Sequence, residues 1–96
     1  MSIEFLRTLE ATIESRLDDP NNADSYTVRL AAKGIQRVAQ KIGEEGVEVA
    51  LAAATEASDT ELLGEAADLI YHVSVMLKMR GLGLDDVGAT LERRHR

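Results

Sequence analysis

Two long stretches with the apolar spacing of an α-helix, separated by only a few residues, constrain the fold of this chain most strongly. In the first, from about residue 35 to residue 55, apolar residues recur at steps of three and four, the period of an amphipathic helix. They are Ile35, Val38, Ile42, Val49 and Ala52. The second stretch is marked by Leu62, Leu69, Val73 and Met76. Because short connections join antiparallel neighbours, the pattern predicts an antiparallel helix pair at the centre of the fold.

The first helical pattern contains an acid where its period predicts core. One apolar step is missing, and it falls on Glu45. Around the same helix, Glu48 lies about 60° from Glu45 with Lys41 between them, and Glu44 lies about 100° away, towards solvent. A charge on an apolar face is costly unless it is paired, so this position needs a partner.

The second helical pattern carries a matching polar stripe of Glu65, Asp68 and His72. The acids of the first pattern lie twelve and nine residues before the connection at Ala57, and those of the second lie eight and eleven residues after it. At a constant rise per residue, both pairs lie at nearly the same height in an antiparallel pair. We therefore expect the four carboxylates to face one another.

Four carboxylates brought together need a counter-charge, because they cannot all stay ionised alone. Ligands that are all oxygen suit Mg²⁺, Mn²⁺ or Ca²⁺. The competing di-iron site uses Glu-x-x-His on two helices, whereas His72 follows Glu65 by seven residues and has no second counterpart. A divalent site without His or Cys ligands favours Mg²⁺ and, with it, phosphate chemistry.

The remaining sequence is typical of a single helical domain over residues 1–96. No strand-like alternation is present, so we expect an all-α fold of four or five helices. The sequence contains no run of about 18 apolar residues, so we predict no membrane-spanning helix. Acids within the first seventeen residues argue against a secretion signal, and the chain has no cysteine, so we expect a cytoplasmic protein. The net charge of −6 argues against nucleic-acid binding.

Three shorter helices are predicted around the central pair. The first covers about residues 2–17, the second begins at the N-cap Ser25 and ends near Gly34, and the last begins at Asp85 or Asp86. The first is expected to pack through Phe5, Leu6, Leu9, Ile13 and Leu17, and the last through Leu84, Val87 and Leu91.

The second long helix has apolar residues on two sides. It begins at the capping box Ser58–Glu61 and ends at Gly81. Leu63, Ile70 and Leu77 lie on the side away from its acids. One small bundle has too little surface to cover both sides, so we expect a homodimer.

Cations and one aromatic residue are candidates for binding an anionic ligand. Lys33, Arg37 and Lys41 follow at four-residue spacing and lead towards the acids, where cations beside a metal–phosphate site have a use. Tyr26 is either a half-buried residue with its hydroxyl in water or a contact that stacks on a base or binds a phosphate. Arg94, in the basic tail, either stabilises the end of its helix or binds phosphate.

Several motifs together resemble a known family. Glu45-x-x-Glu48, sixteen residues and Glu65-x-x-Asp68 resemble the signature of the all-α nucleoside triphosphate pyrophosphohydrolases, the MazG-like superfamily. From about residue 25 onwards, the chain resembles one family within it, phosphoribosyl-ATP pyrophosphohydrolase. The motifs are Ser25-Tyr26-Thr27, Gly34, Lys41-x-x-Glu44-Glu45-x-x-Glu48, Glu65-Ala66-Ala67-Asp68-Leu69-Ile70-Tyr71-His72 and Leu91-Glu92-Arg93-Arg94.

The resemblance implies a MazG-like bundle completed by dimerisation. It also implies Mg²⁺-dependent hydrolysis of phosphoribosyl-ATP to phosphoribosyl-AMP and pyrophosphate, the second step of histidine biosynthesis. The metal ligands it implies are Glu45, Glu48, Glu65 and Asp68. The predicted catalytic residues are Glu44, Glu45, Glu48 and Lys41, with Glu44 either accepting a proton or holding a second metal. The predicted nucleotide-binding residues are Tyr26, Lys33, Lys41, His72 and Arg94.

Two other functions are compatible with the same sequence features. A house-cleaning pyrophosphohydrolase of non-standard nucleoside triphosphates would use the same acids and differ at the substrate end of the site. A non-enzymatic helical dimerisation module would have to carry acids on buried faces without metal. An effect of Mg²⁺ on the melting temperature beyond that of ordinary salt distinguishes the enzymes from such a module.

Overall fold

Five α-helices make up the computed structural model, which describes residues 2–96. After a 3-10 turn at Ser2–Glu4 come α1 (Phe5–Leu17), α2 (Tyr26–Ala32), α3 (Ile35–Ala54), α4 (Asp59–Met79) and α5 (Leu84–Arg94). The described residues contain no strand. The prediction of an all-α fold with two long central helices is confirmed, and both long helices lie within about two residues of their predicted limits.

The limits of α4 follow from its capping residues. At the start, Ser58 Oγ accepts a hydrogen bond from the backbone N–H of Glu61 at 3.1 Å. This N–H lies in the first turn, where the helix itself provides no carbonyl acceptor. At the end, Gly81 has a φ of 72°, in the left-handed region that favours glycine. The N–H of Leu82 then donates to the carbonyl of Leu77 at 2.8 Å, which closes the helix in a Schellman motif.

The junction of α2 and α3 is also set by local chemistry. Ser25 Oγ accepts from the N–H of Val28 at 3.3 Å and so caps α2, as predicted. Gly34 has a φ of 93°, which lets the chain turn sharply from α2 into α3. Basic residues on both sides of this turn are thereby brought near one another.

The core lies where α1, α2, α3 and α4 meet. Its buried members, one from each helix, are Ile13, Leu30, Val38 and Val75, and half-buried apolar side chains surround them. Burying an aliphatic side chain of this kind contributes about 1.5–3 kcal/mol. The closest association of the fold is between α3 and α4, which are consecutive and joined by residues 55–58.

Helix α5 docks on α1 through polar contacts. Two hydrogen bonds of 3.3 Å join Arg7 to Asp85, and Glu10 Oε2 accepts from the N–H of Leu84 at 2.8 Å. No residue of α5 is buried, and Val87 and Leu91 are exposed. The prediction that α5 packs through these two apolar residues is therefore wrong for a single chain, because polar contacts already hold the helix.

Two other apolar faces are left open. Phe5 was predicted to belong to the packing stripe of α1, but it is exposed because it lies in the first turn, beyond the reach of the core. On the outer sides of the long helices, Val47, Leu51, Leu63 and Ile70 are exposed too, with Leu63 retaining 68% of its accessible surface. No helix in residues 2–96 has the length and apolar character that crossing a membrane requires.

Candidate active site

The acid at the gap in the apolar period of α3 lies inside the protein. Glu45 is only 7% exposed, in agreement with the prediction that it occupies a core position. Its Oε1 lies 2.6 Å from Nδ1 of His72 on α4, a residue only 5% exposed. The antiparallel packing of α3 and α4 thus brings a carboxylate and an imidazole together in the interior.

Both ring nitrogens of His72 are engaged by the protein. Nδ1 lies 2.9 Å from the backbone carbonyl oxygen of Asp68, and Nε2 lies 3.0 Å from the hydroxyl of Tyr26. In the arrangement that fits these partners, Nδ1–H donates to the carbonyl, and the Tyr26 hydroxyl forms a hydrogen bond with Nε2. Both nitrogens of His72 are therefore used within the protein, and the residue is 5% exposed.

In this network, one carboxylate oxygen of Glu45 lacks a hydrogen-bond donor. The Nδ1–H of His72 is aligned with the carbonyl of Asp68, so Glu45 Oε1 is buried without a well-directed hydrogen bond from any described residue. A buried charged group without a donor is costly, and a nearby cation offsets that cost. This buried oxygen is the observation that best fits a metal ion at the site.

The other acids come together across the same helix pair. The pKa of Glu65 is raised, chiefly because its carboxyl hydrogen-bonds with that of Glu48, then by partial burial and by repulsion from Glu48, Asp68 and Glu45. Glu65 therefore interacts electrostatically with the other three predicted metal ligands. Within residues 2–96, however, no three acidic or histidine side chains are arranged to hold a metal ion. The ligand set therefore stays a prediction.

The two aromatic motifs of the sequence contact each other. The hydroxyls of Thr27 and Tyr71 share a hydrogen bond, and the rings of Tyr71 and His72 meet edge-on with centroids 5.0 Å apart. Tyr26 adds its ring to this group, 5.9 Å from that of His72. The cluster fixes the start of α2 against the middle of α4, beside the buried acid.

A basic cavity adjoins this cluster. It has a volume of about 190 Å³ and is lined by Tyr26, Arg29, Leu30, Lys33, Arg37 and Lys41. Three predicted ligand-binding residues, Tyr26, Lys33 and Lys41, are thereby brought together. Glu44 is exposed beside Glu45, and Arg94, exposed on α5, is not among the residues that line the cavity.

Sequence reasoning missed two parts of this arrangement. The contact between Glu45 and His72 was not predicted, although the position of His72 one turn after Asp68 placed it on the correct face. Arg29, which also lines the cavity, was not included with the predicted cations. The four-residue step from Arg29 to Lys33 was the available signal.

The fold and the site define a class of protein: a small all-α bundle in which an antiparallel helix pair presents four acids beside a cationic cavity. The match of residues 6–95 to the family model of phosphoribosyl-ATP pyrophosphohydrolase shows that the chain belongs to that family.

Individual relatives agree with this assignment. The phosphoribosyl-ATP pyrophosphatase of Pyrobaculum islandicum is 52% identical over 96 residues, which is 100% of both chains. The histidine biosynthesis bifunctional protein HisIE of Xanthomonas campestris is 53% identical over 93 residues, covering 97% of this chain and 44% of that protein. The chain thus spans less than half the length of the bifunctional relatives. The phosphoribosyl-ATP pyrophosphatase of Sphingopyxis alaskensis is 49% identical over 92 residues, with coverage of 96% and 84%.

Proposed function

We propose that this chain hydrolyses phosphoribosyl-ATP to phosphoribosyl-AMP and pyrophosphate, the second step of histidine biosynthesis, in the cytoplasm and with Mg²⁺. The observation that carries the proposal is the buried Glu45 carboxylate oxygen that lacks a donor. It is supported by the interaction of Glu65 on α4 with Glu45, Glu48 and Asp68. Family membership and full-length relatives named for this activity support it.

The four acids would hold the metal ion, whose all-oxygen ligand preference they match. When bound, Mg²⁺ supplies positive charge that offsets the negative charge developing as the bond between the α- and β-phosphates breaks. His72 and Tyr26 keep the neighbourhood of Glu45 in place through their partly buried hydrogen bonds. Supporting contacts of this kind keep acidic ligands ready for the ion.

The remaining residues act on water and phosphate. Glu44 is exposed next to Glu45, so it can accept the proton of the attacking water as the water oxygen bonds to phosphorus and pyrophosphate leaves. Lys41, one helical turn before Glu45, is placed to bind a phosphate oxygen. In this scheme the acids would hold the metal ion, and Lys41 would orient the charged anhydride.

One assay tests the activity directly. We expect incubation of the chain with phosphoribosyl-ATP and Mg²⁺ to release pyrophosphate, and the same incubation in EDTA to release none. A panel of non-standard nucleoside triphosphates run in parallel tests the house-cleaning alternative. Faster release of pyrophosphate from that panel than from phosphoribosyl-ATP would overturn the proposed substrate. No release from any nucleotide would favour a helical dimerisation module.

The proposal includes a homodimer. Apolar side chains on the outer sides of α3 and α4 lie open, with Val47 59% and Leu63 68% exposed. Val87 and Leu91 on α5 are also uncovered by the chain. Exposed apolar surface gathered on neighbouring helices is typical of a subunit interface. A second copy that packs on these faces would also supply the contacts that α5 lacks.

A further inference from the structure

The basic cavity between α2 and α3 holds cations that the protein itself does not neutralise. Outside the cavity, three of the seven bases make ion pairs: Arg7 with Asp85 at 3.3 Å, Lys78 with Glu14 at 3.5 Å and Arg96 with Glu92 at 3.2 Å. Among residues 2–96, the four bases gathered around this cavity make no ion pair at all, although the chain has 17 acids to 11 bases. Four unpaired cations around one cavity in an acidic protein indicate an anionic ligand.

Helix electrostatics do not account for all of these cations. Arg29 and Lys33 lie at the end of α2, where a positive charge interacts favourably with the helix dipole. Arg37, however, lies in the first turn of α3, where the same dipole disfavours a cation. Gly34, the N-cap of α3, offers no side chain, and no acid occupies that turn. An anion in the cavity would remove both the repulsion and the dipole penalty.

The cavity is already organised for a bound group. Nη1 of Arg29 donates to the backbone carbonyl of Ala23 at 2.8 Å, which restricts the guanidinium. The hydroxyl of Tyr26 is taken by His72, so Tyr26 and Leu30 offer mainly apolar surface. Cations beside an apolar surface suit a sugar phosphate, because the sugar can pack on the apolar surface while the phosphate pairs with the cations.

We propose that this cavity, lined by Arg29, Lys33, Arg37 and Lys41, binds the phosphate of the phosphoribosyl group and determines substrate specificity. The inference rests on the proposed function, in which the substrate carries a phosphorylated ribose as well as a triphosphate. The triphosphate shares its charge with Mg²⁺ at the acids, whereas a separate phosphate needs cations from the protein. Arg37 precedes Glu45 by about 12 Å along α3 and Lys41 precedes it by about 6 Å, so the cavity adjoins the acids at Lys41 and extends away from them. An ordinary nucleoside triphosphate has no group for this cavity.

The test uses Arg37→Gln and Lys33→Gln, with Arg80→Gln as the matched control, since Arg80 is exposed at the C-cap of α4 and outside the cavity. Binding of ribose 5-phosphate is measured by calorimetry in EDTA, with ribose and pyrophosphate as comparison ligands. We expect ribose 5-phosphate to bind wild type and Arg80→Gln alike, and both cavity variants about 10- to 100-fold more weakly, as loss of a charged hydrogen bond predicts. Equal affinity in all four proteins, or a preference of the cavity for pyrophosphate, would overturn the proposal.

Kinetics provide a second readout. The value of kcat/KM for phosphoribosyl-ATP should fall in Arg37→Gln about 10- to 100-fold more than that for ATP, mainly through KM. An equal fall for both substrates would show that the cavity serves the triphosphate, which removes the inference and keeps the proposed activity. If wild type prefers other triphosphates, the proposed function fails, and ribose 5-phosphate binding still decides whether the cavity takes a sugar phosphate. Circular dichroism confirms that each variant is folded.

Discussion

Replacing Glu45 by glutamine removes a charge from the interior while nearly preserving the shape of the side chain. Glu45 is 7% exposed, and its Oε1 has no aligned donor because the Nδ1–H of His72 is directed at a backbone carbonyl. An unsatisfied buried polar group costs about 1–3 kcal/mol, and a charged one costs more. We therefore expect Glu45→Gln to raise the free energy of unfolding of the metal-free protein by at least about 1 kcal/mol near pH 7.

That gain is large enough to measure in thermal melts. For a domain of this size, about 1 kcal/mol shifts the melting temperature by roughly 4–8 °C. Wild type should regain stability with Mg²⁺, by about 2.7 kcal/mol at a hundredfold excess over Kd, and Glu45→Gln should lose most of this response. The assay is calorimetry in EDTA and across a Mg²⁺ series. Glu44→Gln is the control, because it alters an exposed neighbour and should change stability by less than about 0.5 kcal/mol.

The opposite result would refute this reasoning. If Glu45 and His72 form a buried ion pair at their 2.6 Å separation, removing one partner destabilises the fold by about 3–5 kcal/mol. Glu45→Gln would then melt below wild type in EDTA and gain as much from Mg²⁺. Glu45 would be a structural acid, and its assignment as a metal ligand would be wrong.

Three further predictions concern charge, assembly and pH. Glu48→Gln should lower turnover at least about 100-fold, because it removes a charge that would hold the metal ion. If both Glu48→Gln and Asp68→Asn keep near-normal turnover at limiting Mg²⁺, the metal site has been assigned to the wrong residues. Light scattering at micromolar concentration should give a dimer, and Leu63→Glu or Ile70→Glu should give a monomer; a monomeric wild type contradicts the proposed interface. The pKa of Glu65 is raised in the folded chain, so protonation of this carboxyl favours folding. Its contribution to the free energy of unfolding is complete below the ordinary pKa of 4.5 and is lost as pH rises through the raised pKa. In EDTA the melting temperature of wild type should therefore fall over this range relative to that of Glu65→Gln, and parallel curves would argue against the coupling.

The helices were predictable because their signals are local. Ser25, Ser58 and Gly81 act at the ends where their chemistry predicts them, so α2 and α4 differ little from expectation. Apolar periodicity also placed Glu45 inside, since the period identifies the buried face of a helix without knowledge of its partner. Matched heights along two antiparallel helices then sufficed to predict that Glu65 interacts with the acids of α3.

The remaining features depend on information that periodicity lacks. The contact between Glu45 and His72 depends on the rotation of each helix about its own axis, which spacing alone does not fix. Periodicity shows that Val87 and Leu91 share a face, but not whether the same chain covers it. The positions of the metal ligands depend on side-chain torsions that respond to the ion itself, so neither sequence nor fold determines them.

The association of α3 with α4 has a consequence for the order in which the fold forms. These helices are consecutive, and Glu45 and His72 are separated by only 27 residues, whereas Ile13 and Val75 in the core are 62 apart. Contacts between near neighbours in sequence form faster, because less chain entropy is lost in closing the loop between them. We therefore expect the helical hairpin of α3 and α4 to form early and α1 to dock on it later. The acids lie on this hairpin, so we expect their side chains to come together before α1 completes the core.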